Sequence, residues 1–202
     1  MTADEVVVLV FGGRGVPRPL ADLPAVHVGD PTDVDATAGA RRVIVIGTDA
    51  DLAVVLTRLL RTDRLDTEVG FVPGRLGARR ARSAAARRVP LIRDETGSVV
   101  TRAALWLPAD GTARTLVGEA VVDDTTLFDG EVAGVRIEPT AHPPGLRATV
   151  LRGRLRPRRW VTGRAAQLGT TSALVERDGI PAARPVRRST FYRHTQGWLR
   201  VV

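Results

Sequence analysis

The residues best suited by type to do chemistry fall on three turns, each following a short apolar run. Gly12-Gly13-Arg14-Gly15 follows Val6–Phe11, Gly47-Thr48-Asp49-Ala50-Asp51 follows residues 43–46, and Pro73-Gly74-Arg75-Leu76-Gly77 follows Glu68–Val72. Glycine lets backbone amides approach an anion, and a helix starting at such a turn adds a favourable dipole. The chemistry this implies is phosphate binding. Gly12, Gly13, Gly47, Thr48, Pro73, Gly74 and Gly77 are the candidate cradle, and Asp49 or Asp51 is the candidate to hold magnesium through water. Arg75 and Arg79 are candidate guanidinium partners, because Arg recognises phosphate in bidentate fashion. The plainer reading makes Thr48 or Asp49 a helix N-cap, the glycines ordinary turns, and the six Arg from Arg75 to Arg88 a solvated helix face.

Composition removes most other chemistries. The chain has 202 residues, 30 of them basic and 22 acidic, for a net charge of +8. Every basic residue is Arg; Lys, Cys and Asn are absent. Without Lys there is no Walker-type phosphate loop, Schiff-base lysine or protein-kinase Lys–Glu pair. Without Cys there are no disulfides, thiolate nucleophiles or cysteine-bound zinc. His27, His142 and His194 are spaced too widely for a His-built metal site, and Ser83, Ser98, Ser172 and Ser189 lack a G-x-S-x-G elbow. The bias points to a GC-rich genome of the actinobacterial kind. The charge itself reads as scattered solvation or as a patch for a nucleotide, a nucleic acid or an anionic lipid. A second Arg run comprises Arg152, Arg154, Arg156, Arg158 and Arg159. Neither run interleaves aromatics, and no RNA-binding, zinc-finger or zipper signature accompanies them, so nucleic acid is unsupported.

The elements that must position these residues divide the chain at about residue 90. Before it, Val6–Phe11, Ala25–Val28, residues 43–46 and Glu68–Val72 read as strands. Leu52, Val55, Leu56, Leu59 and Leu60 recur at helical spacing over 50–63, and the Ala/Arg-rich segment 78–88 favours helix. This is the pattern of an open α/β sheet, whose ligands bind at the carboxyl ends of the strands. After it, residues 98–107, 114–122, 134–138, 146–151, 163–168, 172–177 and 198–202 read as strands between Gly and Pro turns. The expectation is an α/β nucleotide-binding-like domain over 1–90 and an antiparallel β-rich domain over 91–202, with Trp106, Trp160 and Trp198 in the latter's core. Thr190-Phe191-Tyr192-Arg193-His194 reads as a further strand. No apolar run has the length of a membrane span and the start lacks a secretory signal, so a cytoplasmic protein is expected, with homo-oligomerisation left open.

The order of the turns resembles the diacylglycerol kinase and NAD kinase superfamily. That family follows one strand with G-G-D-G-T-L and a later one with P-x-G-T-x-N-D-x-A-R. Val43-Ile44-Val45-Ile46-Gly47-Thr48-Asp49-Ala50-Asp51-Leu52 is similar to the first, keeping Gly47, Asp49 and Leu52. The segment from Gly70 through Pro73 and Gly77 to Arg82 is similar to the second, keeping Pro73, Gly77, Ala81 and Arg82. Gly12-Gly13-Arg14-Gly15 loosely resembles the family's N-P-x-S-G turn. In the second half, Leu174-Val175-Glu176-Arg177-Asp178-Gly179-Ile180-Pro181 resembles the strand and D-G-E-P that close the family's cleft, and the region around Asp123-Asp124 loosely resembles its D-D-G-x-L-D segment.

This resemblance implies ATP and magnesium as cofactors, a lipid or other hydroxyl as phosphoryl acceptor, Asp49 at the metal and Asp178 as general base. The departures imply a degenerate site. Ala50 and Asp51 replace Gly and Thr, Ala78 and Arg79 replace Asn and Asp, and Ile180 replaces the Glu of D-G-E. Asp51 sets a carboxylate where a hydroxyl would face phosphate, a repulsion of about 1 kcal/mol at ~4 Å in water and severalfold more in a partly buried site. The length is short for a lipid kinase, so part of the lipid-binding domain is expected to be missing. The alternative is a non-catalytic regulatory module whose partner is a nucleotide or other phosphate-bearing small molecule.

Overall fold

The six residues Val6–Phe11 are apolar without alternation, and such a run belongs in a strand covered on both faces. It forms β1 of a computed structural model describing residues 6–74, 76–109, 114–152, 156–157 and 159–202. β2 (Ala25–Val28), β3 (Arg42–Ile46) and β4 (Glu68–Val72) join β1 in a parallel sheet of order β2-β1-β3-β4. Alternate residues divide the core. Val8, Val10, Ile44, Ile46 and Val72 pack with Leu20, Ala78 and Ala81 on one face. Val7, Leu9, Val43, Val45 and Val69 are buried on the other, the side of helix α1 (Asp49–Arg61) with its apolar stripe Leu52, Val55, Leu56 and Leu59.

The Ala/Arg-rich segment departs from the expected long helix. Helix α2 spans only Ala78–Ser83, and Ala86–Val89 is strand β5. The cause lies far off in sequence. Buried Arg42 donates to the carbonyls of Ala81, Arg82 and Ala84 at 3.2, 2.6 and 2.8 Å, taking the orphan acceptors at the helix end. β5 then pairs antiparallel with the C-terminal strand Trp198–Val201, which also lies parallel to β4. The C-terminal strand, expected among the strands of the second half, therefore completes the first sheet, and it takes Trp198 with it.

The chain divides into two compact units: the part up to Val89 with Gln196–Val202, and Pro90–Thr195. The second is antiparallel β. Its strands are β6 (Ile92–Asp94), β7 (Val99–Val100), β8 (Ala104–Pro108), β9 (Leu116–Val122), β10 (Thr125–Val132), β11 (Gly134–Pro139), β12 (Leu146–Arg152), β13 (Arg156–Pro157), β14 (Val161–Gly163), β15 (Ala165–Arg177), β16 (Ile180–Pro181) and β17 (Val186–Arg193). The sheet runs β13-β12-β11-β8-β15-β17-β6-β7, with β9 between β15 and β10. The α/β sheet followed by an antiparallel β unit is the expected fold class. Segments 163–168 and 172–177 merge into the single strand β15, whose pairing with β17 shifts register between Gly169 and Ala173. Trp106 lies in this core, 5.9 Å from the Phe191 ring, with its indole N–H donating to Ser189 Oγ at 3.0 Å. Trp160 is only half-buried and carries the Arg147 guanidinium 4.2 Å above its ring.

Candidate functional site

Each of the three turns stands at the carboxyl end of a parallel strand, β1, β3 or β4. Gly12 and Gly13 both adopt positive φ, 61° and 65°, so the turn after β1 depends on residues without a side chain. The turn swings Arg14 across to the third loop, where its guanidinium donates to the Pro73 carbonyl at 2.9 Å. Between these loops opens a cavity of about 620 Å³ lined by Arg14, Gly15, Arg18, Ile46 and Gly74, among others. That volume suits a small-molecule ligand. Arg18, on the short 3-10 helix Arg18–Leu20, was not singled out by sequence. The signal was there in Gly-Arg-Gly-Val-Pro-Arg, two cations set by a glycine turn and a proline-started helix.

The second loop is arranged differently from a phosphate cradle. Thr48 caps α1: its Oγ1 accepts from the Asp51 amide at 3.3 Å. In return Asp51 Oδ2 accepts from the Thr48 amide at 2.7 Å and the Thr48 hydroxyl at 2.8 Å. This reciprocal capping box satisfies two backbone donors at the start of the helix. It also lays the carboxylate over Gly47, where an added Cβ would lie 2.7 Å from Asp51 Oδ2. An anion approaching the Thr48 amide meets the chain's own carboxylate there. Asp49, at the first position of α1, is the loop's other carboxylate. Among the described residues no group of three or more His, Cys, Asp or Glu side chains is placed to hold a metal ion. Of the two candidate carboxylates for magnesium, Asp51 is engaged by the capping box.

The Arg run separates into distinct roles. Arg82 grips Asp22 with both nitrogens, at 2.7 and 2.8 Å, and the Pro19 carbonyl at 2.8 Å, tying α2 to the 3-10 helix. Arg88 bonds Asp66 and the Gly197 carbonyl. Arg79 and Arg80 are exposed on α2, and neither is among the residues lining the cavity. Gly77 precedes α2 in a left-handed conformation, φ 91°, Pro73 holds Arg14, and Arg75 lies outside the described residues.

Asp178 belongs to the second unit, at φ 50° in the turn between β15 and β16. Its Oδ1 accepts from the amides of Arg102 and Ala103 at 2.8 and 3.0 Å. Its Oδ2 accepts from the Thr101 amide at 2.9 Å and the Thr101 hydroxyl at 3.2 Å. The carboxylate thus gathers the segment between β7 and β8 and interrupts the strand expected over 98–107. Burial pushes its carboxyl above the usual aspartate range, outweighing the pull of those donors. It borders a cavity of about 230 Å³ with Arg102, Arg136 and Glu176. Ile180, at the place of the family's Glu, is exposed. Asp123 repeats the device: at φ 50° it accepts from the amides of Arg164 and Ala165, each at 2.9 Å.

No family model matches the sequence, and no curated protein matches it. Solved structures match the fold. A diacylglycerol kinase from Bacillus anthracis str. Sterne aligns with a TM-score of 0.76 at 13% identity, covering 98% of this chain and 96% of that one. An NAD kinase from Archaeoglobus fulgidus, solved in complex with ATP, aligns with a TM-score of 0.63 at 13% identity, covering 98% and 93%. Yeast NADH kinase complexed with NADH gives 0.61 at 10%, covering 98% and 83%. The chain has the diacylglycerol kinase and NAD kinase-like fold.

Proposed function

We propose that this chain is a lipid-kinase-like protein that binds a nucleotide or other phosphate-bearing small molecule without transferring its phosphoryl group. The observation that carries this reading is the pair of guanidiniums, Arg14 and Arg18, on a cavity of about 620 Å³ at the carboxyl ends of the parallel strands. The loop beside it is closed by its own Asp51 carboxylate. The neighbours support the ligand class, one having been solved with ATP and another with NADH. Arg14 and Arg18 supply charge-assisted donors in place of the amide and metal contacts that a working phosphate loop needs. ATP, ADP and inorganic phosphate titrated calorimetrically, with and without magnesium, test this. Metal-independent binding that weakens about tenfold or more in Arg14→Gln with Arg18→Gln is expected. An unchanged affinity in that variant, or no binding at all, overturns it.

A second reading, ATP-dependent phosphoryl transfer with Asp178 as base on the acceptor hydroxyl, is favoured by one feature. The Asp178 carboxyl is raised by burial and borders a cavity with two Arg. Its four donors favour an anchoring role instead. Asp178→Asn separates the two: a base predicts lost transfer with stability kept, and an anchor predicts lost stability with no transfer in either protein.

A further inference from the structure

A second cavity, of about 520 Å³, opens in the antiparallel unit where the start of β10, β12 and the approach to β14 meet. Its volume suits a small-molecule ligand. Burial sorts its lining by chemistry. Leu127, Val150 and Val161 are half-buried and pack on the core of the unit, giving an aliphatic floor. Thr125, Thr126 and Thr162 are exposed and form a hydroxyl rim. Among the described lining residues, Trp160 supplies the one aromatic ring and Arg159 the one charge. The indole is anchored. Arg147 stands opposite Thr162 in the β12–β14 pairing, and its guanidinium lies over the Trp160 ring at 4.2 Å. Glu138 fixes that guanidinium, accepting from its Nε at 2.9 Å and a terminal nitrogen at 2.6 Å. A ring fixed before a ligand arrives loses little freedom on binding.

This lining discriminates between ligand classes. An acyl chain would gain from the floor but would strip water from the hydroxyls and the cation without replacing its hydrogen bonds. A nucleobase would stack on the indole, but side-chain amides and carboxylates read its edge, and the described lining residues include neither. A pyranose ring bearing an anionic group uses every part. Its C–H face lies against an aromatic ring and aliphatic side chains. Its hydroxyls pair with threonine hydroxyls, which both donate and accept, and its anion meets a guanidinium. We propose that this cavity binds a sugar ring carrying a carboxylate or a phosphate. Trp160 packs on the ring, Thr125, Thr126 and Thr162 bond its hydroxyls, and Arg159 holds its anionic group. The cavity shares no lining residue with that of Arg14 and Arg18, so the proposal does not depend on the reading of that site.

Saturation-transfer NMR on the full chain tests it, with D-glucuronate, glucose 6-phosphate and neutral glucose as probes and AMP as the competing class. At least one anionic sugar is expected to bind about tenfold or more tightly than glucose, and the tighter of the two names the anionic group. Arg159→Gln is expected to bring that sugar down to the level of glucose, with the melting temperature unchanged because Arg159 is exposed. Trp160→Ala is expected to weaken it about tenfold. Arg14→Gln with Arg18→Gln is expected to leave it unchanged, which separates this site from the other cavity. No binding of either anionic sugar overturns the proposal, as does binding that survives Arg159→Gln or is lost with Arg14→Gln and Arg18→Gln. AMP binding more tightly than both sugars, and weakened by Arg159→Gln, also overturns it and assigns the cavity to a nucleotide.

Discussion

Asp51 makes a single carboxylate serve two masters: it closes the capping box with Thr48 and occupies the approach to the Thr48 amide. Removing it separates the roles. Asp51→Ala is expected to cost about 1 kcal/mol of stability as the box is lost, read in a urea melt. The same change is expected to raise affinity for inorganic phosphate at least about fivefold, because a negative charge leaves the anion's path. A variant that loses stability but gains no affinity would show that the loop has no part in anion binding. Sequence marked Asp51 as repulsive and Thr48 as a cap but did not join them. The spacing Thr-x-x-Asp was visible, whereas its geometry over Gly47 depends on how the turn after β3 is shaped.

Among elements, the strands of the first unit were legible because their apolar runs are short, β-branched and bounded by glycine turns. Val6–Phe11, Ala25–Val28 and Glu68–Val72 match their observed limits. Segment 78–88 was not, because its helix propensity is overridden at both ends of a long sequence separation: Arg42 takes the carbonyls ending α2, and the C-terminal strand recruits β5. Arg42→Leu is expected to cost about 3 kcal/mol, since it leaves three carbonyls without their donor and removes one of the two guanidiniums that Glu68 accepts from. In the second unit Glu138 links β11 to β12 between Arg136 at 2.6 Å and Arg147 at 2.6 Å. Burial pushes its carboxyl up, but hydrogen bonds from the two Arg win and hold it below the usual glutamate value of 4.5. Its contribution is therefore present above about pH 4.5 and lost as pH falls through the lowered value. Thermal melts across this range are expected to show a shallower acid limb in Glu138→Gln; an identical limb would remove Glu138 from the account.

For the whole molecule, the order of turns and strands carried the fold at an identity of 13% to a solved diacylglycerol kinase. Local pattern survives where side chains have changed, so the architecture was readable while the site was only partly so. Arg14 and Arg18 escaped notice because a cation becomes a cavity wall only once β1, β3 and β4 are set side by side. Asp178 was located by motif, and the structure adds its backbone partners on a segment some 75 residues earlier. No helix in the described residues is long and apolar enough to cross a membrane. The absence of Lys takes on meaning at this scale: the proposed phosphate recognition would fall to backbone and guanidinium.

The central claim is a cleft that holds a phosphate-bearing ligand without metal-dependent transfer. Its most direct measurement is calorimetric titration of ATP into the full chain with and without magnesium, with ATP consumption followed in the same samples in the presence of diacylglycerol. The account predicts binding of similar strength in both conditions, lost with Arg14→Gln and Arg18→Gln, and no ATP consumed. Magnesium-dependent consumption of ATP with phosphorylation of the lipid would contradict it.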